Sequence, residues 1–194
     1  MEHVILARHG ESVFSVRALV NGDAAVAGAL TEDGVEQARR LGEAIAADPI
    51  ELCVTSEFER AQETADVALA GRDVPRLVVP ELNDPLYGSF EGGPLADYRA
   101  WAHAHASGEA PPGGGESRRA IVERYARGYR LVLERPEDTV LVVAHSLPIA
   151  YVLAGGVPGA IVPLVELATP YRFTADELEE AVQALESWLA APTW

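Results

Sequence analysis

The chain alternates between short, wholly apolar runs and longer stretches in which apolar residues return every three or four positions. Val4-Ile5-Leu6-Ala7 and Thr139-Val140-Leu141-Val142-Val143-Ala144 are nearly uninterrupted apolar runs, as expected of strands covered on both faces in a parallel sheet. Leu52-Cys53-Val54-Thr55-Ser56 and Leu77-Val78-Val79 read as two more strands. Val35, Ala38, Leu41, Ala44 and Ile45 share one helical face behind Thr31, a side chain suited to capping. Residues 57–69 favour helix, with Glu57 and Glu59 near its positive end and Arg60 in its first turn. Helix is expected again from Ser117 to Glu134 and just after His145. A last helix begins at Thr174, where Glu177 completes a capping-box pattern, and its face of Leu178, Ala181, Val182, Leu185, Trp188 and Leu189 is expected to pack on the core.

Strands alternating with helices predict an α/β fold, three layers α/β/α around a mostly parallel central sheet, with ligands at the C-terminal strand ends. A length of 194 residues and 48% apolar content suit one domain spanning residues 1–194. From Asp84 to Ser117 the pattern dissolves into Gly, Pro, small and aromatic residues, which reads as an inserted loop and helix region, 85–117, over the active face. Leu147 to Val165 carries no charge and approaches membrane-spanning length. Pro148, Gly155, Gly156, Pro158, Gly159 and Pro163 interrupt it, so a buried helix, a turn and a buried strand are expected instead.

The net charge of −15 opposes nucleic acid and anionic membrane as partners. It also opposes any anionic substrate, so the placement of each cation carries information. All 15 basic residues are Arg, whose planar fork matches two phosphate oxygens at once. Cys53 is the only cysteine, which rules out an intrachain disulfide and a multi-cysteine metal site and suits a small core residue. The first residues lack the basic and apolar regions of a secretory signal, and a cytoplasmic location is expected.

Three strand ends coincide with polar signals: Arg8-His9 after the first, Arg60 just after the second, and His145 after the strongest. A phosphate monoester carries close to two negative charges, so its attacker must be neutral and its approach screened by fixed cations. Imidazole, with an ordinary pKa of about 6.5, meets the first need, and arginine the second. The run Arg8-His9-Gly10-Glu11-Ser12, the element Ser-x-x-x-Arg-Ala-x-x-Thr-Ala at Ser56 to Ala65, and the apolar strand ending in His145 together resemble the histidine phosphatase superfamily, also called phosphoglycerate-mutase-like. The resemblance runs from about residue 4 to 155.

That resemblance implies attack on phosphorus by His9, with Arg8, Arg60 and His145 binding the phosphoryl oxygens. The family places a glutamate as general acid in a Leu-x-Glu run, where this chain has Leu82-Asn83-Asp84. Asp84 keeps the acid chemistry on a stem one methylene shorter, and Glu81 is the second candidate. Ser15, Asn21, Gly22 and Glu116 align with substrate-contacting elements of relatives. The implied reaction is hydrolysis of a small phosphorylated metabolite to inorganic phosphate through a phosphohistidine, with no metal or organic cofactor. Phosphoglycerate mutase and a catalytically weak phospho-ligand binding module are the alternatives, and a homodimer is compatible with the sequence. His103 and His105 read as surface residues, since a helix would turn them apart. Arg118 and Arg119 read as solvated helix residues. Tyr98 and Trp101 either line the pocket entrance or pack the insertion.

Overall fold

A computed structural model describes residues 1–159 and 162–192. Five strands, β1 (His3–Arg8), β2 (Leu52–Thr55), β3 (Arg76–Val78), β4 (Thr139–Ala144) and β5 (Pro170–Thr174), form one sheet in the order β3-β2-β4-β1-β5. All neighbours are parallel except the β1–β5 pair, which is antiparallel. The apolar runs are apolar because both faces are covered. Val4, Leu6, Val54, Val140 and Val142 face one core cluster, while Ile5, Ala7, Cys53, Leu141 and Val143 face the other.

Helices α1 (Glu32–Ala44) and α2 (Glu59–Ala68) pack on the second of these faces. Helices α4 (Arg118–Leu133), α5 (Ser146–Leu153) and α6 (Ala175–Ala190) cover the first, so the architecture is the expected three-layer α/β/α. Thr31, Ser117 and Thr174 cap α1, α4 and α6 through their hydroxyls, and Thr174 with Glu177 completes the capping box. The predicted face of α6 is buried from Leu178 to Trp188, with Leu189 partly so.

Several expectations are corrected. Helix α2 begins at Glu59 rather than residue 57, because Ser56 and Phe58 are drawn toward the sheet end and Phe58 remains extended. The loop and helix region expected at 85–117 contains one α-helix, α3 (Leu95–Ala104), whose bounds the Gly- and Pro-rich composition concealed. No strand forms at 162–165, while residues 160 and 161 of that expected strand lie outside the described residues. The missing strand is instead β5, whose sequence Pro-Tyr-Arg-Phe-Thr is half exposed at a sheet edge and so lacks the fully apolar signature. None of the described helices is long and apolar enough to cross a membrane.

A close approach fixes the loop after β1. A Cβ on Gly10 would lie 2.5 Å from the Gly34 carbonyl oxygen, and one on Gly34 would lie 2.0 Å from that of Glu11. The first turn of α1 is therefore seated directly on the backbone of the Arg8–Glu11 motif. Gly34→Ala is expected to destabilise the protein by about 1–3 kcal/mol, the usual cost of overpacking. Gly108→Ala, at a position with nothing within 4 Å, is expected to stay within about 0.5 kcal/mol. Urea unfolding of the two variants checks the contrast.

Candidate active site

Strand register brings the separate motifs together. Arg8 pairs with Ala144, and the ladder continues one step as the His9 N–H donates to the Ala144 carbonyl at 2.9 Å. His9 and His145 thus leave adjacent strands side by side, with ring centroids 5.3 Å apart. Ser56, one residue past β2, places its hydroxyl 2.9 Å from His145 Nε2. Phe58 packs edge-on against the same ring.

Arg60 projects from the first turn of α2 into the space between these strand ends and is only 3% exposed. Its Nε donates to His9 Nε2 at 3.1 Å, its Nη1 to Asn21 Oδ1 at 2.7 Å, and its Nη2 to the Asn21 carbonyl at 3.1 Å and to Asp84 Oδ2 at 2.7 Å. The guanidinium also lies over the Phe58 ring, 4.1 Å from its centroid. Asp84 Oδ2 meets His145 Nδ1 at 3.1 Å as well. Arg8 donates through Nη1 to the Val165 carbonyl, while its Nε is buried with no hydrogen-bond partner among the described residues.

The protonation state of His9 follows from its partners. Nδ1 lies 2.6 Å from the Gly10 carbonyl, which can only accept, so the proton sits on Nδ1 and Nε2 carries the lone pair. Burial, followed by the neighbouring His145, Arg60 and Arg8, pushes the His9 pKa well down and keeps the ring neutral. Burial likewise lowers His145, against the opposing pull of Asp84. Burial alone would raise the Asp84 carboxyl, but His145 and Arg60 more than offset it and hold the carboxylate ionised.

A second set of contacts positions these groups. The Thr64 hydroxyl donates to the Arg60 carbonyl and accepts from Gly10 N–H, tying α2 to the loop after β1. Glu59 and Glu63 of α2 accept from the amides of Gly28 and Leu30 and hold the 21–30 loop in place. Arg124 of α4 donates to the carbonyls of Glu81, Asn83 and Asp84 and is gripped at both ends of its fork by Glu116, at 2.7 and 2.8 Å.

A cavity of about 290 Å³ opens over the cluster. Arg8, His9, Ser15, Asn21, Arg60 and Asp84 line it, whereas Gly22 and Glu116 do not. Gly22 donates its amide to Glu91, and its missing Cβ makes room for the Pro85 carbonyl. Glu116 acts through Arg124 on the backbone before Asp84. The Ser15 hydroxyl donates to the Ser12 carbonyl, and the Ser12 amide donates to that same hydroxyl. Glu81 turns away into a shallow groove shared with Glu123, Arg127 and Arg130, leaving Asp84 as the carboxylate at the cluster.

The reading of Arg118 as solvated is overturned: it is 6% exposed, lines the cavity, and donates to the carbonyls of Ala102 and His105 at the end of α3. Tyr98 both lines the cavity and packs a small cluster with Val20, Tyr87 and Ala102, and Trp101 packs against that cluster. His103 reaches the cavity, while His105 stacks on Trp101. The wall residues Phe14, Leu19, Arg99, Ile121 and Tyr151 were not singled out by the sequence. Only the i, i+3, i+4, i+7 spacing of Leu95, Tyr98, Arg99 and Ala102 carried a usable signal.

Ligand atoms of His9, Asp84 and His145 lie within 4.8 Å of one another, close enough to hold a metal ion. Arg60 already donates to His9 Nε2 and Asp84 Oδ2, and a cation there would have to displace a guanidinium. The donor set suits an anion. A doubly wound sheet that carries a neutral imidazole lone pair among fixed guanidiniums at its C-terminal edge defines a phosphoryl-binding protein of the α/β class.

The chain belongs to the histidine phosphatase superfamily (branch 1), whose family model matches residues 4–168. It is similar to the adenosylcobalamin/alpha-ribazole phosphatase of Salmonella typhimurium, 33% identical over 77% of this chain and 76% of that protein. It is also similar to the 2,3-bisphosphoglycerate-dependent phosphoglycerate mutase of a Methylobacterium species, 32% identical over 94% of this chain and 97% of the mutase. Among solved structures, the alpha-ribazole phosphatase of Shigella flexneri superposes with a TM-score of 0.74 at 28% identity, covering 88% of this chain and 89% of that one.

Both buried histidines have native pKa values below that of the unfolded chain, about 6.5. Below that pH unfolding takes up protons, so the stability present at neutral pH is lost as pH falls. The expected slope is about 1.4 kcal/mol per pH unit for each ring. His9→Asn is expected to remove one ring's share. Urea unfolding at pH 7, 6 and 5 measures it, and an unchanged slope in the variant would contradict a neutral His9.

Proposed function

We propose that the protein is a phosphomonoesterase working through a phosphohistidine on His9. The observation that carries this reading is the lone pair of His9 Nε2, fixed by the Gly10 carbonyl on the far side of the ring and aimed at the guanidinium of Arg60. The named activities of the relatives, two of them phosphatases, support it.

In the free protein Asp84 occupies donors that a phosphoryl group would use. An entering phosphate ester takes Arg60 Nη2 and His145 Nδ1 for its oxygens, and Arg8 Nε gains an acceptor. Once parted from these partners, the Asp84 carboxylate is buried beside a dianion and takes up a proton from solvent, which it gives back to solvent when phosphate has left and Arg60 and His145 are regained. His9 Nε2, released from Arg60 Nε, then attacks phosphorus, the P–O bond to the alcohol breaks, and Asp84 passes its proton to the departing oxygen. Water attacks the phosphohistidine, giving a proton to the Asp84 carboxylate as the P–N bond breaks, and inorganic phosphate leaves. Every group in this cycle is a side chain of the protein, so it requires neither metal nor organic cofactor.

The near-full-length match to a mutase favours phosphoglycerate mutase as a second reading. A mutase must hold a second anionic group beside the reacting phosphoryl. Beyond the cluster the cavity wall is largely apolar, with Phe14, Leu19, Val20, Leu95, Ile121 and Tyr151; Arg99 and His103 of α3 also line it, and Arg118 donates to the carbonyls of Ala102 and His105. That wall supports hydrolysis over mutation. Incubation with 3-phosphoglycerate and a bisphosphate primer separates the two by the product formed, free phosphate or the isomer.

Purified protein in chelator-treated buffer is expected to hydrolyse p-nitrophenyl phosphate, and His9→Ala to lower kcat by more than about 10³-fold. Asp84→Asn is expected to cost about 10²–10⁴-fold with an alkyl phosphate and much less with the nitrophenyl ester, whose leaving oxygen needs little help from an acid. Steady-state kinetics with both esters checks this. Equal losses on the two esters would remove Asp84 as the acid, and phosphate or vanadate binding without turnover would reduce the protein to a binding module.

A further inference from the structure

The cationic cluster accounts for one end of the cavity; its other walls select what the phosphate is attached to. Helix α3 presents Leu95, Tyr98, Arg99 and Ala102 to the cavity from one face. Ile121 of α4 and Tyr151 of α5 line the same cavity. Arg99, His103, Arg118 and Ser146 bring polar groups to these walls, and the rest of the lining is apolar or aromatic. Away from Arg99 and His103, such a surface gains little from a hydroxylated alcohol, whose hydroxyls would lose water without finding partners. It gains from a flat apolar group, which can pack edge-on or offset against Tyr98 and Tyr151. A volume of about 290 Å³ lies at the small end of ligand cavities, so the apolar group must be compact.

The placement of α3 depends on a side chain from elsewhere. Its N-terminus is held by the Leu95 amide on the Ala18 carbonyl. Its C-terminal turn leaves carbonyls that the helix cannot satisfy internally. Arg118, the first residue of α4, supplies the missing donors to Ala102 and His105 and is itself buried. The cationic fork suits the negative end of a helix. Because Arg118 belongs to α4, the position of the α3 face is set by the rigid body of the fold and not by the Gly-rich loop at 113–115.

We propose that the α3 face, clamped by Arg118, is the selectivity element of the cavity, and that it selects phosphate monoesters of compact, ring-bearing apolar alcohols over small hydroxylated esters such as glycerol phosphate. The inference rests on the phosphomonoesterase reading for its reaction but not for its binding preference. Leu95 supplies the packing surface, and Arg118 is a positioning residue that holds it.

Calorimetric binding of two non-hydrolysable phosphonates, 1-naphthylmethylphosphonate and methylphosphonate, tests the preference without needing turnover. The naphthyl compound is expected to bind at least tenfold more tightly to the wild-type protein. Leu95→Gln, a change on a half-exposed wall residue that leaves the cluster intact, is expected to reduce that ratio at least fivefold with methylphosphonate affinity unchanged. Arg118→Ala is expected to reduce it by a similar factor, and to raise KM for 1-naphthyl phosphate more than it lowers kcat. Equal affinity of the wild type for the two phosphonates, or an unchanged ratio in Leu95→Gln, overturns the proposal even if phosphatase activity is vigorous. A retained naphthyl preference in a protein that hydrolyses no ester supports the proposal and overturns the reaction instead.

Discussion

The site depends on one buried guanidinium. Arg60 touches His9, Asn21, Asp84 and His145, four residues from four separate segments, and no other side chain among the described residues links them all. A buried cation is costly unless each of its donors is used, and here Asn21 and Asp84 supply the acceptors that make it tolerable. The same charge sets the chemistry of its neighbours. Behind burial and His145 it helps keep His9 unprotonated, and behind His145 it helps keep Asp84 ionised, so in the proposed reaction the nucleophile is neutral before substrate arrives while the acid still lacks its proton. In that proposal phosphate binding resolves the mismatch, because the incoming oxygens take over the donors that Asp84 had held.

The surrounding structure serves to keep Arg60 and Asp84 in place. The sheet register aligns His9 with His145, and Thr64 bonds the base of α2 to the loop after β1. Asp84 has no regular element beneath it, only a short turn and Pro85. Its backbone is instead held by Arg124, whose fork is fixed by Glu116. A carboxylate aligned by sequence with a substrate contact thus acts two contacts away from the cavity. The lone thiol, Cys53, lies on the opposite side of this arrangement from any chemistry: burial in the α1–α2 face pushes it up to about 12.

The sheet was legible in the sequence where strands are buried on both sides, since Val4–Ala7 and Val140–Ala144 must then be apolar throughout. It was not legible at β5, where an edge strand mixes Pro170, Tyr171 and Arg172 and carries no such constraint. Arg8, His9, Arg60 and His145 were readable because each follows a strand closely, so local sequence order fixes where they point. Arg118 and Arg124 were not. Their roles come from carbonyls 13 to 43 residues away in the chain, and a helical arginine looks the same whether it faces water or a distant helix end. The wall of the cavity was obscured for a related reason, since α3 has a weakly amphipathic face set in a Gly- and Pro-rich segment.

The single clamp at the end of α3 divides the molecule into two parts that can diverge at different rates. The phosphoryl cluster sits on strand ends and is locked by mutual contacts, so a change at any member disturbs the others. The α3 wall, proposed to hold the alcohol, lines the cavity and is tied to the rest at its two ends by the Ala18 carbonyl and Arg118. Substitutions along its exposed side can accumulate without disturbing the imidazole and guanidinium geometry. A lineage built this way can exchange one metabolite for another by small steps while its phosphoryl chemistry stands still, which fits relatives of similar identity that carry phosphatase and mutase names.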